Sequence, residues 1–117
     1  MAALLLHVVP GNEVIVPAFT FPSTPNAFIL HGARPVFVDI RADRLNIDGK
    51  RIEERITERT KAIFLIHFAG VGCEMETIIA VARRHGIAVV EDNAPGLYGK
   101  YRDTAECPAT KAALWVC

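Results

Sequence analysis

Two adjacent carboxylates, Glu91 and Asp92, directly follow the apolar run Ile87 to Val90. This run has the composition of a buried parallel strand, and ligands of open α/β sheets bind outside the carboxyl ends of such strands. The pair is therefore placed where a carboxylate can take part in chemistry. The alternative is that both are solvated loop residues or helix caps, which is the usual role of Asp in such a loop.

Asp92 is suited to hold an aromatic nitrogen base as a cation. A carboxylate that hydrogen-bonds a protonated pyridine nitrogen makes the ring the electron sink that carbanion chemistry with pyridoxal phosphate requires. Phe21 follows the β-branched run Glu13 to Val16, so it should open on the same edge of the sheet. Its ring can stack there on a flat cofactor, and the alternative is a core aromatic. Ala94 is small enough to let a ring approach from the other side.

A lone histidine, His67, lies near the end of a third apolar run, Lys61 to Phe68. A histidine beside apolar residues is more often a hydrogen-bonded core residue than a ligand or a base, and both interpretations stay open here. His67, Cys73 and His85 lack the spacing of metal ligands, so we predict no metal site.

Strand-like and helix-like segments alternate along the chain, which predicts an α/β fold with a partial parallel sheet flanked by helices. The clearest helix runs from Glu74 to His85 and has one apolar face, and Gly86 is suited to end it. Thr20 or Ser23 is expected to cap an earlier helix, and Asp48 a short one. The predicted strands are Glu13 to Val16, Pro35 to Ile40, Lys61 to Phe68, Ile87 to Val90 and Leu114 to Cys117.

The composition, with 51% hydrophobic and 22% charged residues among 117, is that of one globular domain. A formal net charge of 0 gives no basic field that would recruit nucleic acid or an anionic membrane. Three cysteines without a C-x-x-C pair suit a reducing cytosol, so we expect a cytoplasmic protein. The apolar start, Ala2 to Leu6, is too short for a signal segment or a membrane span.

Several segments, taken in their order and spacing, resemble the DegT/DnrJ/EryC1/StrS sugar aminotransferase family over about residues 1 to 96. They are Met1 to Leu6, Pro10 to Pro17, Phe19 to Phe21, Ser23-Thr24, Asn26-Ala27, Pro35 to Ile40, Asn46 to Asp48, Thr60 to Ile63, His67, Gly70 and Val89 to Asp92. Within the family, Met1 to Leu6 and Ala69 to Met75 most resemble the dTDP-4-amino-4,6-dideoxygalactose transaminases.

The resemblance implies the large domain of a fold-type-I pyridoxal-phosphate transferase that forms homodimers. It implies glutamate as amino donor and a nucleotide-linked 4-keto-6-deoxy sugar as acceptor, a chemistry of lipopolysaccharide or antigen biosynthesis. The cofactor would be pyridoxal 5′-phosphate, with Asp92 paired to its pyridine nitrogen, Phe21 stacked on one ring face and Ala94 on the other. We expect residues 1–117 to be a single incomplete domain, similar to the family over 1–96 and divergent over 97–117.

Three departures from the family pattern bear on catalysis. The family has Gln at the position of Pro95, where it would hydrogen-bond the cofactor's phenolic oxygen, and proline has no side-chain donor. The family's phosphate-binding Ser/Thr-rich turn would lie just before the opening helix stub at Met1, and its Schiff-base lysine would follow the strand after Asp92. Lys100 and Lys111 lack the Ser-Phe-His-type context of that lysine. We therefore assign no catalytic residue and expect the chain alone to be inactive.

Two functions of different classes stay open. The first is a piece of a pyridoxal-phosphate sugar aminotransferase. The second is a non-catalytic truncated remnant that folds partly or associates with a full-length partner, which Pro95 and the irregular tail favour.

Overall fold

Five parallel strands form one sheet in the computed structural model, which describes residues 2–92 and the backbone of 113–116. The strands are β1 (Glu13–Pro17), β2 (Arg34–Val38), β3 (Thr60–Ile66), β4 (Ala88–Asp92) and β5 (Ala113–Val116). The helices are α1 (Ala2–Leu5), α2 (Ser23–Ile29), α3 (Gly49–Ile52) and α4 (Met75–His85), with 3₁₀ turns at Glu53–Arg55 and Phe68–Gly70. The predicted α/β fold with a parallel sheet is confirmed.

The strand order is β2-β1-β3-β4-β5. The chain leaves β1 toward one edge of the sheet, and from β2 onward it crosses back and continues toward the other edge. The carboxyl ends of β1 and β3 are therefore the point where the direction of winding reverses. Open α/β sheets bind their ligands in the crevice at that point.

Helices cover the two faces of the sheet separately, because side chains alternate along each strand. On the first face α3 and α4 pack on residues such as Ile15, Ile63 and Val89. On the second face α1 and α2 pack on residues such as Val14, Phe64 and Val90. We call these the α3–α4 side and the α1–α2 side. The central strands β1, β3 and β4 are buried on both sides of the sheet, as their continuous apolar runs predict.

Two of the predicted helix ends are confirmed and one is wrong. The Asp48 side chain accepts a hydrogen bond from the Lys50 N–H at 3.1 Å and caps α3, and Gly86 ends α4 in the left-handed conformation at φ 65°. Neither Thr20 nor Ser23 caps α2. Pro22 occupies the cap position with helical angles, φ −57° and ψ −25°, and no side-chain cap bond. Its ring fixes φ at a helical value, so the helical path is entered through Pro22 itself.

Pairing with neighbours sets the strand ends differently from the prediction. We expected the fourth strand to end at Val90, but β4 extends through Asp92, since Asp92 pairs with Ile66 of β3 and with Val116 of β5. We expected the third strand to reach Phe68, but β3 ends at Ile66, before the turn in which Ala69 has φ 51°. Among the described helices, none has the length and apolar character that a membrane span needs.

Candidate functional site

Asp92 lies at the carboxyl end of β4 and is half-buried. It pairs with Ile66, which packs on the α1–α2 side, and it follows Val90 of that side by two residues, so its side chain points to the same face. Its carbonyl oxygen accepts a hydrogen bond from the His67 N–H at 3.2 Å. The alternative of a loop residue or cap is therefore wrong for this carboxylate, which belongs to the sheet.

Phe21 lies in the segment between β1 and α2, and 77% of its surface is exposed. The alternative of a core aromatic is wrong for this position. The segment leads into α2, which packs on the α1–α2 side, the side toward which Asp92 points. One strand, β3, lies between β1 and β4, which puts the axes of these two strands about 10 Å apart. Phe21 follows β1 and Asp92 ends β4 at the same edge of the sheet, while Ala94 and Pro95 lie outside the described residues.

Further aromatic groups at this edge were missed in the sequence. The rings of Phe19 and Phe68 are in edge-to-face contact, with centroids 5.0 Å apart and planes at 61°. The contact joins the segment after β1 to the turn after β3, at the point where the winding reverses. The available signal was position: both residues directly follow strands that end at the same edge.

His67 and Glu91 form a buried pair on the opposite, α3–α4 side. His67 Nε2 lies 3.3 Å from Glu91 Oε2, and His67 Nδ1 accepts a hydrogen bond from the Cys73 N–H at 3.1 Å. Glu91 is fully buried and His67 is 6% exposed. The prediction of a hydrogen-bonded core histidine is confirmed, and the alternative of solvated carboxylates fails for Glu91.

The Asn46 side chain forms two hydrogen bonds with the backbone of the turn after β3. Its amide nitrogen donates to the Val71 carbonyl at 2.8 Å, and its amide oxygen accepts from the Phe68 N–H at 2.9 Å. The side chain is buried, and it satisfies two backbone groups that a tight turn would otherwise leave unpaired. Asn46 stood in a motif of the family resemblance, but it had no role in the sequence analysis because its partners are more than twenty residues away.

Arg41 ties the polar connection after β2 to the start of α4. It donates to Asp43 at 2.8 Å and to Glu74 at 2.9 Å. The hydrogen bond from Arg41 lowers the pKa of Asp43 to about 2, and the same bond is the main cause that raises the pKa of Arg41. The described residues hold no group of three or more metal-ligating side chains.

A comparison with known protein families identifies the family of the chain. The sequence profile of the DegT/DnrJ/EryC1/StrS aminotransferase family matches residues 1–114. The chain belongs to this family. The predicted resemblance is thus confirmed at the level of the family, and the particular galactose transaminase is not.

Individual members of the DegT/DnrJ/EryC1/StrS family are similar to this chain in sequence and in structure. The spore coat polysaccharide biosynthesis protein SpsC of Bacillus subtilis is 48% identical over 93 residues, which are 80% of this chain and 24% of SpsC. The structure of DesV from S. venezuelae in complex with a ketimine intermediate superposes with a TM-score of 0.76 at 38% identity, over 80% of this chain and 25% of DesV.

The structure of NtdA from Bacillus subtilis with bound cofactor PMP superposes with a TM-score of 0.78 at 40% identity, over 81% of this chain and 22% of NtdA. The chain therefore spans about a quarter of the length of the relatives it matches. The fold agrees with the large domain of fold-type-I pyridoxal-phosphate transferases, as the resemblance predicted.

Proposed function

We propose that this chain is the part of a pyridoxal-phosphate sugar aminotransferase that holds the cofactor ring. The observation that carries the proposal is the placement of the half-buried Asp92 at the carboxyl end of β4, with the exposed Phe21 in the segment that follows β1 at the same edge of the sheet. A carboxylate and an aromatic ring at one edge of a parallel sheet fit a flat cationic heterocycle. The relative solved with PMP supports this choice of cofactor.

Each residue has a separate task in this proposal. Pyridoxal 5′-phosphate, when bound, supplies an electron sink for the substrate carbon. Asp92 would accept a charge-assisted hydrogen bond from the protonated pyridine nitrogen and would keep that nitrogen protonated. Phe21 stacks on one ring face and excludes water from it, and Ala94 leaves room at the other face.

The amino donor in this proposal is glutamate, and the acceptor is a nucleotide-linked 4-keto-6-deoxy sugar, as in the dTDP-4-amino-4,6-dideoxygalactose transaminases. The similarity to SpsC, named for polysaccharide biosynthesis, supports a sugar acceptor. A place in lipopolysaccharide or antigen biosynthesis and a location in the cytoplasm belong to the same proposal.

A homodimer is part of the proposal as well. The α1–α2 side exposes large apolar side chains, including Leu4 at 63%, Leu30 at 85% and Phe21 at 77%. Apolar surface of this extent is usually covered by protein or ligand. A second copy that meets this side would enclose Phe21 and Asp92 together.

The polypeptide of 117 residues is expected to show no turnover by itself. Lys100 and Lys111 lack the context of the family's Schiff-base lysine, and Pro95 replaces a glutamine that donates to the cofactor. The same observations favour the second candidate, a non-catalytic remnant. The two differ in cofactor binding, which the enzyme fragment retains through Asp92 and the remnant does not require.

The test is a titration of the chain with pyridoxal 5′-phosphate, followed by absorbance, beside two variants. Asp92→Asn keeps the shape of the side chain and removes its charge, so we expect it to weaken binding about tenfold, equivalent to about 1.4 kcal/mol. Asp39→Asn is the matched control, because Asp39 is an exposed carboxylate just beyond β2, near the far end of the same sheet edge. Equal binding by Asp92→Asn and the parent chain would contradict the cofactor role.

A further inference from the structure

We propose that Glu91 and His67 form a positioning pair that holds Asp92 and places a second negative charge behind it. The inference rests on the proposed function of Asp92 as the partner of a cationic ring. Glu91 points to the α3–α4 side and Asp92 to the α1–α2 side, so the pair lies on the side of the sheet away from the cofactor.

The hydrogen bonds of His67 determine its tautomer. The Cys73 backbone N–H lies 3.1 Å from Nδ1, and a backbone N–H can only donate. Nδ1 is therefore an unprotonated acceptor, and the proton of the neutral ring is on Nε2. That N–H faces Glu91 Oε2 at 3.3 Å, so His67 donates to the Glu91 carboxyl group.

Burying the polar side chains of His67 and Glu91 has a desolvation cost, which apolar side chains at the same positions would not have. Glu91 is 0% exposed on the α3–α4 side of the sheet, one residue before the end of β4. A buried pair of this kind contributes little net stability compared with apolar side chains of the same volume. The position of this buried pair at the ligand edge of the sheet therefore supports a role beyond packing.

The pair is connected to Asp92 by the backbone as well as by sequence. The His67 N–H donates to the Asp92 carbonyl oxygen at 3.2 Å, and Ile66 pairs with Asp92 in the sheet. His67 thus bonds the side chain of Glu91 and the backbone of the next residue. This arrangement holds the backbone at the end of β4 from two directions, at the residue that carries the Asp92 carboxylate.

The charge of Glu91 acts on the same ligand through the sheet. Glu91 and Asp92 are consecutive, and the buried peptide between them screens charge less than water does. A second negative charge raises the preference of the site for a protonated ring over a neutral one. The positioning pair therefore contributes in two ways: it holds the backbone at Asp92, and it adds the negative charge of Glu91 near the ring nitrogen.

The turn after β3 depends on the same histidine. Cys73 donates its N–H to His67 Nδ1, and its thiol donates to the Ile66 carbonyl at 3.2 Å. These bonds close the turn that carries Phe68, whose ring contacts Phe19. Loss of the imidazole would therefore disturb the aromatic edge and the end of β4 at once.

Three substitutions in the 117-residue chain separate these contributions. Glu91→Gln keeps an acceptor for the Nε2–H and removes the charge. His67→Asn keeps an acceptor for Cys73 at the position of Nδ1, and His67→Gln keeps a donor toward Glu91 at the position of Nε2. Circular dichroism and thermal unfolding establish that each variant is folded before its binding is measured.

The probes are pyridoxal 5′-phosphate and its 1-deaza analogue, in which carbon replaces the pyridine nitrogen. We expect Glu91→Gln to lower affinity for pyridoxal 5′-phosphate about fivefold, less than Asp92→Asn does, and to leave affinity for the analogue unchanged within about twofold. A role in orientation or packing alone would weaken both ligands equally, since it does not depend on the ring nitrogen.

A second measurement needs no ligand. In ¹⁵N-edited spectra of the chain at neutral pH, His67 should show a protonated Nε2 and an unprotonated Nδ1, and the Glu91→Gln variant should keep this tautomer. A proton on Nδ1 would overturn the pair as described. His67→Asn, which lacks the donor toward Glu91, should lower affinity for pyridoxal 5′-phosphate more than His67→Gln.

The outcomes distinguish the inference from the function on which it rests. If Asp92→Asn weakens binding of pyridoxal 5′-phosphate and Glu91→Gln does not, the positioning pair is wrong and the cofactor role stands. If Glu91→Gln weakens binding of both ligands equally, its charge has no role and the inference is overturned. If the parent chain binds neither ligand, or Asp92→Asn binds as the parent does, the proposed function fails and the inference fails with it.

Discussion

The two sides of the sheet differ in how they meet solvent. On the α3–α4 side the inner face of α4 is fully buried, as for Met75 and Ile78, and its outer face is polar and charged. On the α1–α2 side the helices carry no charged residue, and Leu4, Ile29 and Leu30 are exposed at 63%, 48% and 85%. The α3–α4 side thus presents charged groups to water, whereas the α1–α2 side presents large apolar side chains.

The adjacent carboxylates of β4 follow the same division. Glu91 on the α3–α4 side is enclosed and hydrogen-bonded to His67, whereas Asp92 on the α1–α2 side is half-buried. A strand directs alternate residues to opposite faces, so this dipeptide sends one carboxylate to each side of the sheet. In the proposed function, Glu91 is the supporting group and Asp92 is the group that binds the cofactor. This division places support and binding on separate faces, and the predictions below test it.

The largest expected effect compares matched aliphatic truncations on the two sides. Ile78→Ala removes a fully buried side chain of the α3–α4 core and should lower the free energy of unfolding by about 2–5 kcal/mol. Leu30→Ala removes a side chain that is 85% exposed and should change it by less than about 0.5 kcal/mol. Urea unfolding with comparison of midpoints at constant slope measures both. Similar losses for the two variants would contradict the difference between the sides.

The next largest effect tests the hydrogen bonds that Asn46 makes with the turn after β3. Asn46→Ala leaves the Val71 carbonyl and the Phe68 N–H without their side-chain partner, which should cost about 1–3 kcal/mol of unfolding free energy. Asn26→Ala, at an exposed position of α2, is the control and should be within about 0.5 kcal/mol of the parent. Hydrogen exchange should become faster at residues 68–71 in the first variant. Unchanged exchange there would show that the turn holds without Asn46.

A smaller effect separates ligand contact from stability on the α1–α2 side. Phe21→Ala should leave unfolding within about 0.5 kcal/mol of the parent, because the ring is 77% exposed. It should nevertheless lower affinity for pyridoxal 5′-phosphate about fivefold, since stacking on the cofactor is lost. Leu30→Ala should change neither quantity, and it serves as the control for loss of exposed apolar surface. A Phe21→Ala variant that unfolds early would mean that the ring is part of the core.

Local features of this fold were predictable from the sequence, and pairing between strands was not. The cap at Asp48 and the glycine end of α4 depend on neighbouring residues, so their chemistry can be read directly. The end of β4 depends on partners in β3 and β5 that are distant in sequence, and the strand therefore continued past Val90 through both carboxylates. The opposite directions of Glu91 and Asp92 follow only once that extension is known.

The candidate site shows the same limit. The edge of the sheet to which Phe21 and Asp92 belong follows from parallel topology, which the alternating pattern predicted. The exposure of Phe21 and the bonds of Asn46 depend on how the loops after β1, β2 and β3 meet, and no local pattern encodes that meeting. Residues that act through distant backbone groups are therefore the ones that sequence analysis misses.

The smallest expected effect concerns an ion pair at the surface of the α3–α4 side. Glu53 contacts His85 at 3.0 Å and Arg84 at 2.9 Å, and the hydrogen bond from His85, followed by the charge of Arg84, lowers its pKa below the usual 4.5. The carboxylate thus binds a proton less readily in the native state than in the unfolded chain. Its contribution to stability is present above the unfolded pKa and is lost as pH falls through the lower native value.

Glu53→Gln should therefore reduce the midpoint of urea unfolding slightly at neutral pH and have no effect at a pH below the native pKa of Glu53. Glu54→Gln, at the adjacent exposed position, is the control for loss of a surface carboxylate. The ion pair lies on the outer face of α4, where solvent screens it, so its contribution is smaller than that of any buried group considered above. If Glu53→Gln and the parent differ equally at both pH values, the effect is not electrostatic, and the polar outer face of α4 serves solubility rather than stability.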